Sequence, residues 1–384
     1  VTAIHPFVGK LEQETTSVLD TIREMVELES PTTDKTACSR FGSYLKQRLT
    51  NLGAKVESVS CKDFSDHIRA TLPFGHGTQK PAIMLLGHMD TVWPVGEIER
   101  RPFRIEGDMA FGPGIYDMKG GIALAIHALE YMKRNGHTPK RPIQMVWNSD
   151  EEVGSPTSRK LIETVAAESA HVLVFEPGDL PEGQVNTFRK GVINFKVEVR
   201  GRSAHAGANH PDGRNAICEL ARLVLRLEAM TDYDIGTTVN VGKIEGGNRV
   251  NVVPAHAAAS VDVRVSTAQE SERMLETIRS LAIAEGGFRV TTRGIQSRPP
   301  LERHAAVENL YNKAKQVAES LKLSLPERPS GGASDGNFTA AMGKGTLCGI
   351  GIVGTGAHAL DERIVIDWIP KRLAVIIRLL EILD

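Results

Sequence analysis

Short, unbroken apolar runs that end on polar loops constrain this chain more than any other feature. AIMLLG (82–87), PIQMVWN (142–148) and HVLVF (171–175) show no polar alternation, so as strands they must be covered on both faces. Helical stretches separate them. LysGlyGly at 119–121 opens the apolar helix GIALAIHALEYM, and SRKLIETVAAE (158–168) lies between the second and third runs. Strands alternating with helices predict an α/β fold with a mainly parallel sheet flanked by helices. Upstream, residues 11–52 carry helical periodicity through Leu19, Ile22, Met25 and Val26, then Phe41, Tyr44, Leu45 and Leu49. Gly53 and Ala54 stop that pattern before the strand KVESV.

The texture changes near residue 190. VINFKVEVRG (192–201), TTVNVGKIEGG (237–247) and HAAASVDVRV (256–265) alternate as half-exposed strands do. Helices from about Arg214 to Glu228 and from about Gln269 to Glu285, and a strand FRVTTRG (288–294), complete a β-α-β-β-α-β order. That order matches a ferredoxin-like α+β motif. It predicts an inserted domain over 191–299 within a discontinuous domain formed by 1–190 and 300–384. LCGIGIV (347–353) reads as a late strand of the first sheet and IPKRLAVIIRLLEIL as a closing helix.

With 46 basic and 47 acidic residues among 384, nothing points to nucleic acid or an anionic membrane as a partner. No apolar run reaches the roughly 18 residues of a membrane span. VTAIHPFVGK lacks the apolar core of a secretory signal and has no initiator Met. The expected compartment is the cytoplasm, with the periplasm or secretion as alternatives if a signal has been removed. Cys38, Cys61, Cys218 and Cys348 form no CxxC pair and read as free thiols.

The chemistry clusters where the buried strands end, which is where open α/β sheets gather ligands. His88 and Asp90 follow the first run, Asp150, Glu151 and Glu152 the second, and Glu176 the third. Imidazole and carboxylate suit divalent metal ions. Each residue also has a plainer reading. His88 alone is more often structural. Asp90 is either the partner that fixes its tautomer or a helix cap. Asp117, in GPGIYDMKGG, could cap the following helix, and its glycines lack phosphate-loop spacing. Glu151 and Glu152 are either a solvated turn or a pair with one metal ligand and one general base. His358, in GTGAHALDE, could be a surface histidine. The joint placement after apolar runs favours a metal enzyme.

GHMDT (87–91), GPGIYDMKGG (112–121), NSDEEVGS (148–155), FEPG (175–178), GRSAHAG (201–207), NRVNVVPAHA (248–257) and AHALDE (357–362) together resemble the dinuclear zinc amidohydrolase and exopeptidase family. It includes glutamate carboxypeptidase (glucarpidase), acetylornithine deacetylase, succinyl-diaminopimelate desuccinylase and aminoacylase. The likeness runs from about residue 15 to the C-terminus and is nearest in texture to the glutamate carboxypeptidase branch. It implies a zinc-peptidase type sheet and an inserted domain that makes a homodimer. It implies two Zn2+ per chain, with Co2+ or Mn2+ as alternatives. His88, Asp117 and Glu176 would hold one ion, and Glu152, His358 and the shared Asp117 the other. Glu151 would be the general base for attack of a dizinc-bound hydroxide on an amide carbonyl, and Asp90 would orient His88. His205, supplied to the partner's site, would stabilise the oxyanion. Arg264 and Asn251 would meet the substrate's carboxylate and carbonyl, with Gly332 of the SGGASDG loop as further lining.

The implied substrate is a small N-acyl amino acid or a peptide C-terminus, glutamate being a candidate product. An N-acyl-amino-acid deacylase and a non-catalytic metal-binding regulatory homologue are the alternatives. Met118, RKG (189–191) and the surroundings of His358 depart from the glutamate carboxypeptidase pattern, so acyl and side-chain specificity stay open.

Overall fold

The computed structural model describes residues 4–74, 81–282 and 284–384. Residues 1–3, the start of the VTAIHPFVGK segment, lie outside the described residues. Contacts divide the chain into two compact units, Val1–Phe188 with Arg303–Ser330 and Ser334–Asp384, and Arg189–Glu302 with Gly331–Ala333.

The first unit is built on an eight-stranded sheet. Its centre is parallel: Ile143–Asn148, Ala82–His88, Ser169–Val174 and Gly345–Cys348 lie side by side in that order. Antiparallel strands flank this core, Lys55–Val59 and His67–Leu72 on one side and Val185–Arg189 on the other. The sheet is therefore mixed, parallel only in its middle. Every residue of Ala82–His88 is buried, as a continuous apolar run requires. Ile83, Leu85, Met145 and Leu173 join the main core with the helices Gly120–Asn135 and Trp368–Ile382. On Ser169–Val174, the helices Arg159–Ala167 and Gly336–Ala341 also pack.

A second, five-stranded sheet in this unit was not expected. Its order is Arg104–Glu106, Met109–Phe111, Arg363–Val365, Val353–Thr355, Gly178–Asp179. It gathers loops that are far apart in sequence. The Asp117 loop leaves from Phe111, the His358 loop joins Thr355 to Arg363, and Gly178 follows Glu176 by two residues.

Three readings of the sequence are corrected. The periodicity over 11–52 belongs mainly to two helices, Thr15–Glu27 and Lys35–Leu52. Pro31 lies between them and cannot continue a helix, and Asp34 caps the second by accepting the N–H of Ala37 at 2.9 Å. LCGIGIV is two strands in two different sheets, Gly345–Cys348 and Val353–Thr355, separated at Gly349, whose φ is +84°. The helix read to Glu285 ends at Ser280.

In the second unit, five strands are ordered Thr238–Gly246, His256–Val265, Gly191–Arg200, Phe288–Arg298, Ala284–Glu285, with every neighbouring pair antiparallel. Ile193, Phe195, Val197 and Val199 alternate inward and share a core with Leu220, Leu223 and Leu227 of the helix Ala216–Glu228 and with Met274 and Ile278 of Ala268–Ser280. This is the ferredoxin-like arrangement. Asn215 and Thr267 cap its two helices, accepting from Cys218 and Glu270 N–H groups at 3.1 Å each.

Candidate metal centre

Parallel pairing brings the ends of three strands to one edge of the large sheet, with His88 opposite Asn148 and Leu86 opposite Val174. His88 ends its strand, Glu151 and Glu152 follow the second strand, and Glu176 the third. Asp117 and His358 arrive on the loops held by the smaller sheet.

Asp117 lies between two imidazoles. Its Oδ1 is 3.1 Å from His88 Nε2 and its Oδ2 is 3.4 Å from His358 Nε2. Each imidazole meets one further carboxylate, Glu176 Oε1 at 3.7 Å from His88 Nε2 and Glu152 Oε2 at 3.1 Å from His358 Nε2. Ligand atoms of His88, Asp117 and Glu152 lie within 4.8 Å of one another. Glu151 and Glu152 occupy a single 3₁₀ turn, Glu151–Val153. At about three residues per turn, neighbouring side chains diverge by about 120°, so two adjacent carboxylates can take separate tasks.

Asp90 combines both readings weighed for it, but not through the atoms expected. The Nδ1–H of His88 donates to the Asp90 backbone carbonyl at 2.9 Å, whereas the Asp90 carboxylate is 3.5 Å from Nδ1. The shorter contact is the better hydrogen bond. The carboxylate instead accepts the N–H groups of Glu151 and Glu152, both at 3.2 Å, and the Thr32 hydroxyl at 2.7 Å. Asp90 thus positions both the imidazole and the Glu151–Glu152 turn. Asp150 is turned away from this chemistry. Fully buried, it accepts from Thr157 N–H at 2.8 Å, Thr157 Oγ1 at 2.6 Å and Ser158 N–H at 3.2 Å.

The donor set fits divalent cations. With Nδ1–H committed to a carbonyl, the lone pair of a neutral His88 would aim Nε2 at two carboxylates. That contact is favourable only with a proton or a cation between them. Among the described residues, buried Glu152 Oε1 has no hydrogen-bond partner. In the metal-free protein, protons fill the role. The carboxylates of Asp117 and Glu152 push His358 up to about 10. Burial opposes the charge on His88, yet Asp117 and Asp90 raise it well above its ordinary value. Burial and the nearby Asp117 raise Glu152. Burial works against ionised Asp117, but hydrogen bonds from His358 and His88 hold it well below the usual carboxylate range. His358 also takes a left-handed backbone, φ +60°, a conformation that non-glycine residues adopt sparingly.

Sequence reasoning passed over Glu362 and Trp93. Glu362 is buried and accepts backbone N–H groups from Gly114, Tyr116 and Asp117. Its only sequence signal was its place in AHALDE.

The remaining candidates lie in the second unit. His205 is exposed, and its Nδ1 accepts the N–H groups of Gly207 and Ala208, each at 3.1 Å. That fixes the neutral tautomer with its proton on Nε2. Asn251 is exposed, and its carbonyl accepts from Ala206 N–H at 3.0 Å. Arg264 makes a two-pronged pair with Asp262, Nε to Oδ1 at 2.7 Å and Nη2 to Oδ2 at 3.1 Å. Among the described residues, its other side-chain N–H groups meet no acceptor and so can serve a second partner. The Gly332 carbonyl accepts from Arg189 Nη1 at 3.3 Å.

A family model described as Peptidase family M20/M25/M40 matches residues 84–382. Carboxypeptidase G2 of Pseudomonas sp. (strain RS-16) is 32% identical over 377 residues, covering 96% of this chain and 89% of that protein. Acetylornithine deacetylase of Myxococcus xanthus is 32% identical over 322 residues, covering 79% of this chain and 80% of the relative. The crystal structure of aminopeptidase PepT from Bacillus cereus ATCC 10987 superimposes with a TM-score of 0.78 at 22% identity, covering 96% of this chain and 98% of that one. This chain belongs to peptidase family M20/M25/M40 and is a metallohydrolase of that family. Among the described residues, no helix is long and apolar enough to cross a membrane.

Proposed function

We propose that this chain uses two zinc ions to hydrolyse the amide bond of N-acyl amino acids or of peptides at their C-terminus, with glutamate the leading candidate for the released residue. The observation that carries the reading is Asp117, whose two oxygens face different imidazoles, each with its own second carboxylate. His88, Asp117 and Glu176 would hold one ion, and Glu152, His358 and Asp117 the other. Co2+ or Mn2+ would suit the same donors. When bound, such ions make a water more acidic and polarise the amide carbonyl.

The protein's own groups do the rest. Glu151 takes the proton of the attacking water and delivers it to the leaving amine nitrogen. Asp90 holds the turn from which Glu151 acts, through the Glu151 and Glu152 N–H groups. His205 donates its Nε2–H to the developing oxyanion, supplied from the partner in a homodimer formed by the second unit. Arg264 binds the substrate's free carboxylate with the N–H groups that Asp262 leaves, and Asn251 and Gly332 complete the lining. The likeness to carboxypeptidase G2 supports this substrate class. The likeness to acetylornithine deacetylase supports a second reading, removal of an acyl group from an amino acid such as acetylornithine.

The test is a panel of N-acyl-glutamates, N-acetylornithine and C-terminal dipeptides, assayed with metal-replete and chelator-treated protein. Turnover that depends on metal and is fastest on glutamate derivatives is expected. Preference for N-acetylornithine would select the second reading, and inactivity on the whole panel would refute both.

A further inference from the structure

Glu362 is 1% exposed. Its Oε1 accepts Tyr116 N–H at 2.9 Å and Asp117 N–H at 3.0 Å, and its Oε2 accepts Gly114 N–H and the Trp93 indole N–H, both at 2.8 Å. An ionised carboxylate is an acceptor with about four lone-pair sites, and here four N–H donors fill them.

These donors come from separate loops. Trp93 follows the strand that ends at His88, Gly114 to Asp117 form the turn before the helix Gly120–Asn135, and Glu362 itself lies four residues after His358. One side chain therefore joins the loops that present His88, Asp117 and His358. Arg101 braces the same arrangement, its guanidinium 3.9 Å from the Trp93 ring centre and its Nη1 donating to the Leu360 carbonyl at 2.9 Å. Packing alone would not require a charge here. A neutral amide of the same size would fill the space but would turn an NH2 group toward two N–H donors.

We propose that Glu362 is a positioning residue. It fixes the backbone of Asp117 against the His358 loop and so sets the affinity for the ion these two residues would share. The inference rests on the reading that the cluster holds metal. Glu362 reaches the backbone of Asp117 and not its carboxylate, so its effect falls on where the ligand is held. Of the three loops that Glu362 joins, the ion held by Asp117 and His358 draws on the two nearest to its carboxylate. Asp117 donates its own N–H to Glu362, and His358 lies four residues away on the same loop, whereas His88 is reached only through Trp93, five residues on. The ion held with His88 and Glu176 depends on only one ligand whose backbone Glu362 touches.

The experiment is Zn2+ binding to the full chain by chelator competition, comparing wild type with Glu362→Gln and Trp93→Phe, and with His358→Ala and Glu176→Ala as references. In Glu362→Gln, affinity for one ion should fall by about 10–100-fold, the usual effect of losing a group that holds a metal ligand in place. The ion lost should be the one that His358→Ala loses, not the one that Glu176→Ala loses. Trp93→Phe removes one donor of four, leaves the charge, and should weaken the same ion less.

Wild-type affinity for both ions in Glu362→Gln, or equal losses at both, would overturn the proposal. If Glu362→Gln does not fold, Trp93→Phe decides: selective weakening of that ion sustains the proposal, and unchanged affinities overturn it. Wild-type protein that bound no Zn2+ would instead sink the metal reading, and this inference with it.

Discussion

Gly121→Ala separates helix propensity from site geometry, because the two predict opposite signs. Gly121 lies near the start of the helix Gly120–Asn135, where alanine ordinarily stabilises by about 0.5–1 kcal/mol. A Cβ built there would be 2.1 Å from the Phe175 carbonyl oxygen and 3.2 Å from its carbon. Carbon–oxygen contacts settle at about 3.3–3.6 Å, so helix and strand end must separate by about 1.2–1.5 Å. Overpacking of this kind costs about 1–3 kcal/mol, which outweighs the propensity gain. The displaced atoms belong to a strand end tied to Leu86 by a 2.8 Å backbone hydrogen bond, immediately before Glu176. The variant should therefore melt a few degrees lower and hold metal less tightly. Gly331→Ala, whose added Cβ would meet no atom within 4 Å among the described residues beyond its chain neighbours, is the control and should change neither property. Thermal unfolding of metal-free protein and Zn2+ competition measure the two effects. A Gly121→Ala protein that melts higher than wild type with unchanged metal affinity would refute the reasoning.

Glu151→Gln keeps size and loses basicity; kcat should fall about 10²–10⁴-fold with metal content unchanged, and loss of an ion instead would exchange the roles of Glu151 and Glu152. Mixing inactive His205→Ala and Glu151→Gln chains should restore activity, up to about one working site per heterodimer, if His205 is supplied across a dimer; confirmed subunit exchange without activity would place its role elsewhere. Metal binding should release protons, since Asp117 and Glu152 hold His358 up to about 10 in the metal-free protein and a ligating imidazole must be neutral. Affinity should fall as pH falls through neutrality, by about tenfold per pH unit for each proton released. Calorimetry in buffers of different ionisation enthalpy measures that release, and binding independent of pH would contradict it.

Much of the first unit was legible because its central strands are buried on both faces. AIMLLG, PIQMVWN and HVLVF are short enough to read as strands rather than helices, and their ends pointed to His88, Glu151, Glu152 and Glu176. The smaller sheet was not legible. Its strands, such as Met109–Phe111 and Gly178–Asp179, are too short to show a period. His67–Leu72 was overlooked although HIRATL alternates polar and apolar residues, with Ile68, Ala70 and Leu72 buried, the period of a half-exposed strand. The apparent helix over 11–52 kept its spacing across a break, and Pro31 was the overlooked signal. Residue types could suggest Asp90 as a partner of His88 but could not show that its carbonyl makes the bond. Glu362 was invisible for a related reason: its partners are mostly backbone N–H groups of a distant loop, and backbone donors leave no mark on residue identity.

The central claim is a site for two ions that share Asp117, and the most direct measurement is the metal content of holo-protein for wild type and Asp117→Asn, with activity on the same samples. The account predicts about two ions per chain in active wild type and impaired binding of both in Asp117→Asn. Full activity with one ion per chain, or an Asp117→Asn protein that keeps two ions at wild-type affinity, would contradict it.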